Sequence, residues 1–243
     1  QEELNSARKG MSESEYLQEF ELDPQSAIRG AILGDEMRKA HQDKRICKVP
    51  YENYADVDTY WDLGIGDYTV VVFIQRIGLE RHVIDCYFTH GKSLADIAEV
   101  VRSKPYNYGT HYLPHDAAAR EKQSGKTAQE FLENYFRGRT NIVPRVKQKQ
   151  DGINALRLHF HKLWIDEKLV EFIDALEQYQ QEFDDTKGVF LPIPKHNWCS
   201  HFCDALSGWA QTETSMVQSG IYPIPHSGYT GSNQLERRGE ILR

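Results

Sequence analysis

The chain has 243 residues, of which 40% are hydrophobic and 27% charged, and its formal net charge is −7. This length suits one sizeable domain with flanking segments, and the composition is typical of an ordinary soluble globular protein. No apolar run approaches the ~18 residues of a membrane span, and no signal peptide precedes the first strand. The charge argues mildly against nucleic-acid binding but does not exclude it, since local basic clusters decide.

Four cysteines are too few and too irregularly spaced for a disulfide framework, so the sequence indicates a reducing compartment. The chain begins at Gln1 rather than Met, and we expect it to be a piece of a longer protein. Residues 1–50 are polar and predicted to be helical. Ser12 and Glu15 form a capping box, and a second helix is expected from Ser26 to about Gln42. This segment is interpreted as a linker that docks on the domain after it.

From Tyr51 the pattern changes to strands, and residues 51–210 are predicted to form one domain. Three closely spaced strands, Val57–Leu63, Thr69–Ile77 and His82–Phe88, can only form an antiparallel meander. Strands and helices then alternate. Helices are expected at Leu94–Arg102, Thr127–Phe136, Gly152–Phe160, Glu167–Phe183 and Trp198–Ala210, with strands at Thr110–Leu113, Asn141–Val146 and Leu163–Ile165, and an extended segment at Gly188–Pro194. This order is the one expected of an RNase H-like α/β fold, a mixed sheet flanked by helices, and the pattern alone would also permit other α/β folds. Residues 211–243 are predicted to be a flexible tail.

Three aspartates occupy informative positions in this arrangement. Asp62 ends the first strand of the meander, Asp116 follows the fourth strand, and Asp204 lies on the last helix. The first and fourth strands can lie side by side in such a sheet, so the three carboxylates could form one cluster. Like charges this close need a cation. Oxygen-only donor sets favour Mg²⁺ or Mn²⁺, which can support phosphodiester hydrolysis. The alternative is that each aspartate accepts backbone hydrogen bonds and has no shared role.

Three further residues are candidate auxiliaries of the same site. Asp67 follows the first turn, although it could serve only the turn. Asp85 interrupts the third strand and could face the side of Asp62 or the solvent. His201 precedes Asp204 by one helical turn and could orient a ligand or a water.

Two other motifs are weaker. His196, Cys199, His201 and Cys203 do not have the spacing of a zinc site, and buried free cysteines are the preferred interpretation. Gly125-Lys126-Thr127 lacks the first glycine of a phosphate-binding loop, because residue 120 is arginine. The sequence therefore predicts no ATP site.

A basic stretch follows Asp116 and could grip a phosphate backbone beside the acidic cluster. It could equally be a solvated surface. The candidate DNA-binding residues are Arg120, Lys122, Lys126, Arg139, Arg145 and Lys147.

Five short motifs, taken in order, resemble the C-terminal nuclease domain of the large terminase subunit of tailed bacteriophages. They are Trp61-Asp62-Leu63-Gly64-Ile65-Gly66-Asp67, His111-Tyr112-Leu113-Pro114-His115-Asp116, Ser124-Gly125-Lys126-Thr127, Asp151-Gly152-Ile153-Asn154-Ala155 and the stretch from His196 to Ala205. The resemblance implies an RNase H-like fold, with catalytic and metal-binding aspartates at Asp62, Asp116 and Asp204. Residues 1–50 would then join an absent ATPase domain.

The resemblance further implies a two-metal Mg²⁺- or Mn²⁺-dependent endonuclease with little sequence preference, which cuts concatemeric viral DNA during packaging. Its partners would be double-stranded DNA, the ATPase domain, the portal and the small terminase subunit, with no membrane. It would act in the host cell cytoplasm at the procapsid. The competing hypothesis is a non-catalytic module that docks DNA and the portal.

Overall fold

A computed structural model of the protein describes residues 28–64, 67–120 and 127–219. A seven-stranded mixed sheet runs through its centre, in the order β1-β7-β4-β3-β2-β5-β6, and β8 and β9 form a separate hairpin. The strands are β1 (Ile46–Cys47), β2 (Val57–Asp62), β3 (Tyr68–Ile77), β4 (Glu80–His90), β5 (Tyr108–Leu113), β6 (Thr140–Ile142), β7 (Leu163–Asp166), β8 (Gln181–Asp184) and β9 (Val189–Pro194). The helices are α1 (Gly34–Gln42), α2 (Leu94–Ser103), α3 (Ala128–Tyr135), α4 (Lys149–His159), α5 (Val170–Gln178) and α6 (Trp198–Ser219).

Helices cover both faces of the sheet. The first face packs against α1, α4, α5 and α6, and the second against α2 and α3. Each face of the sheet forms a hydrophobic core with its helices. Side chains alternate between the two faces along β2, so Tyr60 points into the first core and Trp61 into the second. Within the described residues, no helix is long and apolar enough to cross a membrane.

The predicted strand pairing is confirmed. Strands β2, β3 and β4 form the antiparallel meander. Strand β5 lies beside β2, as the sequence allowed for the first and fourth strands, and the two strands pair in parallel. The fold is therefore RNase H-like, with an antiparallel half and a parallel half.

The predicted helix Glu167–Phe183 is wrong at both ends. Helix α5 covers only Val170–Gln178, and the chain then enters the β8–β9 hairpin. Buried Tyr179 ends the helix, and Phe183 packs on Phe190 across the hairpin with ring centroids 4.9 Å apart. The extended segment predicted at Gly188–Pro194 is confirmed as β9.

The folded unit begins before the predicted domain boundary at Tyr51. Strand β1 pairs with β7, and α1 buries Met37 and Ala40 in the first core. The helix predicted from Ser26 starts only at Gly34. The capping box at Ser12 lies outside the described residues, and the role of residues 1–50 as a linker stays a prediction.

The last helix continues beyond its predicted end at Ala210, so the predicted tail is wrong for residues 211–219. Helix α6 reaches Ser219, and its side chains at Thr212 and Glu213 are buried. Glu213 accepts hydrogen bonds from Arg81 at 2.8 and 3.0 Å, which compensates its burial. Residues 220–243 lie outside the described part of the chain.

Candidate active site

Three aspartates from separate elements line one cavity of about 380 Å³. Asp62 is the last residue of β2. Asp116 lies in a short 3₁₀ helix, His115–Ala118, directly after β5 and Pro114. Asp204 lies in the first half of α6. Because β2 and β5 are parallel neighbours, their carboxyl ends reach the same edge of the sheet, and α6 passes over it.

A buried polar network joins β2 to β5 just before these carboxylates. Trp61 donates its indole N–H to the Thr59 hydroxyl at 2.7 Å, and that hydroxyl lies 2.7 Å from His111 Nδ1. Burial, helped by the charge of Arg139, lowers the pKa of His111 to about 4. The ring is therefore neutral at physiological pH, and its Nδ1 shares one hydrogen bond with the Thr59 hydroxyl. This chain of hydrogen bonds fixes the strand ends that carry Asp62 and Asp116.

The electrostatics of Asp62 are those of a crowded, partly buried carboxylate. Burial raises its pKa, the hydrogen bond from His201 lowers it, and the negative charges of Asp204 and Asp116 raise it again. The net effect is an upward shift. Asp204 has a local counter-charge, because Lys149 Nζ donates to its Oδ2 at 2.9 Å. A cation placed among the three carboxylates would relieve the same repulsion.

His201 connects the cavity to a second carboxylate. Its ring is 8% exposed, with Nδ1 2.9 Å from Asp62 Oδ2 and Nε2 3.1 Å from Asp67 Oδ2. The structure thus brings two of the predicted auxiliary residues, Asp67 and His201, to the edge of the site. The backbone N–H of Tyr68 donates to Asp67 Oδ1 at 2.8 Å and, as the largest effect, lowers the pKa of Asp67.

The turn beside Asp62 requires a glycine at position 64. A Cβ atom there would lie 2.3 Å from the backbone oxygen of Tyr68, which is far inside van der Waals contact. Gly64 therefore allows the chain to pass close to the start of β3. Gly66, which the sequence assigned to the same turn, lies outside the described residues.

Solved structures with a similar fold include bacteriophage large terminases and their nuclease domains. The large terminase of one thermophilic bacteriophage aligns with a TM-score of 0.53 and 14% identity over 70% of this chain. The chain spans 43% of that protein's length. The large terminase nuclease of thermophilic phage G20c with bound magnesium aligns with a TM-score of 0.52 and 13% identity, covering 76% of this chain and 98% of the other. No family model and no curated protein matches the sequence.

The chain has the large terminase nuclease fold. Identities of 13–14% are too low for sequence identity alone to establish this fold. The resemblance of the motifs and the similarity of the structures are separate observations, and both indicate it. Within the terminase nuclease fold, the mixed sheet and the helix that crosses its edge account for the position of the acidic cavity.

One predicted auxiliary residue, Asp85, does not join the site. Phe73 pairs with Asp85 and Ile74 with Val83, so Ile84 is an extra residue in β4. This irregularity changes the alternation of side chains and directs Asp85 away from the face of Asp62. Its Oδ2 accepts hydrogen bonds from Lys104 at 2.6 Å and from Tyr106 at 2.9 Å. The interpretation of Asp85 as a site residue is therefore wrong.

The predicted DNA-binding residues are divided by the structure. Arg145 and Lys147 line the acidic cavity. Arg120 lines a neighbouring cavity of about 420 Å³ that also includes Asp116. Arg139 instead donates to the backbone oxygen of Tyr108 at the start of β5, the end opposite Asp116. The remaining two candidates, Lys122 and Lys126, lie outside the described residues.

Two residues at the site were not predicted from the sequence to lie beside the aspartates. Lys149 offered only its positive charge as a signal, because its bond to Asp204 depends on how α4 packs on α6. His196 lies before α6 and faces Asp67, with Nε2 3.5 Å from Oδ2. Cys199 and Cys203 are buried in the first core, as expected for free cysteines, and do not form a site with the histidines.

Proposed function

We propose that this protein is a divalent-metal-dependent DNA endonuclease that acts in viral genome packaging. The observation that carries the proposal is the single cavity lined by Asp62, Asp116 and Asp204 together with Arg145 and Lys147. The terminase nuclease fold supports it, since the similar G20c nuclease is a structure with bound magnesium.

The residues present suit a hard divalent cation. All three predicted ligands offer carboxylate oxygens, which Mg²⁺ and Mn²⁺ prefer. The raised pKa of Asp62, caused first by burial and then by its carboxylate neighbours, indicates negative charge that lacks a full counter-charge. We infer that two ions would act together, and that Asp62, Asp116 and Asp204 would hold them.

Each group of the chain has a distinct task in the proposed reaction. Asp62, Asp116 and Asp204 would hold the metal, which would supply Lewis-acid chemistry for water and phosphate. Arg145 and Lys147 bind the phosphate backbone, which gives little sequence preference because phosphates carry no sequence information. His201 donates from Nδ1 to Asp62 and fixes the orientation of that carboxylate. Lys149 balances the charge of Asp204 until a cation binds.

The terminase nuclease fold also supports a proposal for the biological setting. We propose that the chain works on concatemeric double-stranded DNA beside an ATPase domain, the portal and the small terminase subunit. Its place would be the host cytoplasm, at the procapsid.

Cleavage of supercoiled plasmid tests the enzymatic proposal. With Mg²⁺ or Mn²⁺ we expect nicked and linear DNA, no cutting in EDTA, and loss of cutting in Asp204→Asn. Asp185→Asn, an exposed aspartate in the β8–β9 turn, is the matched control and should cut normally. Absence of metal-dependent cutting, or full activity of Asp204→Asn, would instead favour a non-catalytic docking module.

The basic residues at the cavity make a second prediction. Removing one phosphate contact lowers the slope of log affinity against log salt by about 1 unit. Arg145→Ala and Lys147→Ala should each show this change in DNA-binding titrations at several salt concentrations. Arg139→Ala removes the same charge at the far end of β5 and should leave the slope unchanged. Equal effects for Arg139 and Arg145 would contradict the assignment of the DNA path to this cavity.

A further inference from the structure

Two histidines face one carboxylate oxygen beside the aspartate cavity. Asp67 Oδ2 lies 3.1 Å from His201 Nε2 and 3.5 Å from His196 Nε2. One ligand atom from each residue lies within 4.8 Å of the other two. The other oxygen of Asp67 accepts the backbone N–H of Tyr68, which holds Oδ2 toward the rings.

The hydrogen bonds of the two rings decide where their protons are. His201 Nδ1 contacts Asp62 Oδ2 at 2.9 Å, and an ionised carboxylate can only accept, so Nδ1 carries the proton. Ser200 gives its single hydroxyl proton to the Asn197 oxygen at 2.7 Å. Its Oγ must therefore accept from His196 Nδ1 at 3.2 Å.

In both neutral rings the lone pair is consequently on Nε2, the atom that faces Asp67. Two lone pairs directed at a carboxylate oxygen repel it. An additional ring proton, or one cation between all three groups, would turn these contacts into attractive ones, and a cation does so without charging either of two rings whose centroids are 5.4 Å apart.

We propose that Asp67, His196 and His201 bind Zn²⁺ or another first-row transition cation. Bonds of about 2.0–2.2 Å to nitrogen and oxygen place neighbouring ligand atoms about 3–3.5 Å apart, which matches the observed separations of Oδ2 from each Nε2. Imidazole donors favour transition ions, whereas Mg²⁺ prefers oxygen alone. The site thus differs in metal class from the three aspartates, and it uses neither Cys199 nor Cys203.

The site also has the outer hydrogen bonds that such metal ligands require. Metal-binding histidines usually donate their second ring N–H to a carboxylate or another acceptor, which fixes the tautomer. Asp62 does this for His201, and Ser200 for His196. Asp62 is therefore shared, since it orients a ligand of the transition-metal site and lines the cleavage cavity.

The test is zinc binding by metal-free protein without DNA, measured by calorimetry in excess Mg²⁺ so that the aspartate site is saturated. We expect one equivalent of Zn²⁺, a Co²⁺ absorption spectrum typical of nitrogen ligands, and at least about tenfold weaker binding in His196→Gln and Asp67→Asn. His196 is exposed, so its replacement should not affect folding. His161→Gln, an exposed histidine elsewhere, and Asp204→Asn should bind Zn²⁺ as the wild type does.

Three results would overturn the proposal: no stoichiometric zinc, unchanged affinity in His196→Gln, or loss of zinc in Asp204→Asn. Nuclear magnetic resonance of the ring protons gives a second readout. If zinc binds, the Nε2 proton signals of His196 and His201 should disappear when zinc is added. If the cluster holds only protons, those signals would persist, which would contradict the proposal. The binding measurement needs no cleavage. The result for zinc binding would therefore stand even if the protein failed to cleave DNA.

Discussion

Replacing Asp62 with asparagine is expected to lower plasmid cleavage at least about a thousandfold. The amide keeps the size of the side chain and can still accept the N–H of His201, but it loses the charge that a divalent ion requires. Loss of several kcal/mol of transition-state stabilisation corresponds to this factor, at 1.36 kcal/mol for each tenfold change in rate. Single-turnover cleavage in saturating Mg²⁺ or Mn²⁺ measures it.

The same substitution should not destabilise the metal-free protein. Burial and the charges of Asp204 and Asp116 raise the pKa of Asp62, so the ionised carboxylate is less favourable in the folded state than in the unfolded chain. This penalty is present at neutral pH and disappears as pH falls below the ordinary carboxyl pKa. We expect the melting temperature of Asp62→Asn to equal or exceed that of the wild type at neutral pH. The difference between the two melting temperatures should become smaller at acidic pH.

Asp85→Asn is the matched control, because the sequence allowed Asp85 to face either the side of Asp62 or the solvent. Its partners are Lys104 and Tyr106, and it does not line the cavity. The variant should therefore cut DNA at the wild-type rate after its melting temperature is checked. Loss of activity in Asp85→Asn with intact folding would show that the acidic site lies elsewhere.

The position of Asp62 was predictable from the sequence because it depends on short connections between strands and on the order of the strands in the sheet. Short links force β2, β3 and β4 into a meander, and the later alternation of strands and helices places β5 in parallel beside β2. Two parallel strands end at one edge, so Asp62 and Asp116 must be neighbours there. The motifs resembling terminase nucleases pointed to the same residues.

The features of the site that the sequence did not predict depend either on one irregularity in a strand or on contacts between residues far apart in the sequence. One extra residue, Ile84, reverses the expected direction of Asp85, and no residue type in β4 marks the bulge. Lys149 and Asp204 are far apart in sequence and meet only through packing of α4 on α6. His196 precedes α6, so helical periodicity could not place it beside Asp67.

The end of α6 was missed for a related reason. The stretch after Ala210 has few apolar residues, and sequence patterning associates burial with apolar side chains. Glu213 is 2% exposed because three basic residues from other elements surround it. Arg81, Arg76 and Lys162 place nitrogens 2.8, 3.0 and 3.2 Å from its carboxylate.

Replacing Glu213 with glutamine is expected to lower the free energy of unfolding by about 3 kcal/mol or more. Removing one partner of a buried ion pair leaves its counter-charges without compensation, which costs about 3–5 kcal/mol. Arg81 is the most buried of the three cations and should dominate the effect. Urea unfolding at neutral pH measures the loss. Glu99→Gln is the control, since Glu99 and Arg102 form an exposed pair and should change stability by about 1 kcal/mol or less.

The pH dependence of the stability difference tests whether the charge of Glu213 causes the loss of stability in Glu213→Gln. Burial alone would raise the pKa of Glu213, but the hydrogen bonds of Arg81 and the charges of Arg76 and Lys162 outweigh burial, and the pKa is lowered from its ordinary 4.5. A carboxylate with a lowered folded pKa stabilises the fold above its unfolded pKa, and this contribution is lost as pH falls through the folded value. The difference between wild type and Glu213→Gln should therefore be constant near neutral pH and shrink below about pH 4.5. A difference independent of pH would mean that the glutamine acts by altered packing, not by the loss of the charge that anchors α6 to β3 and β4.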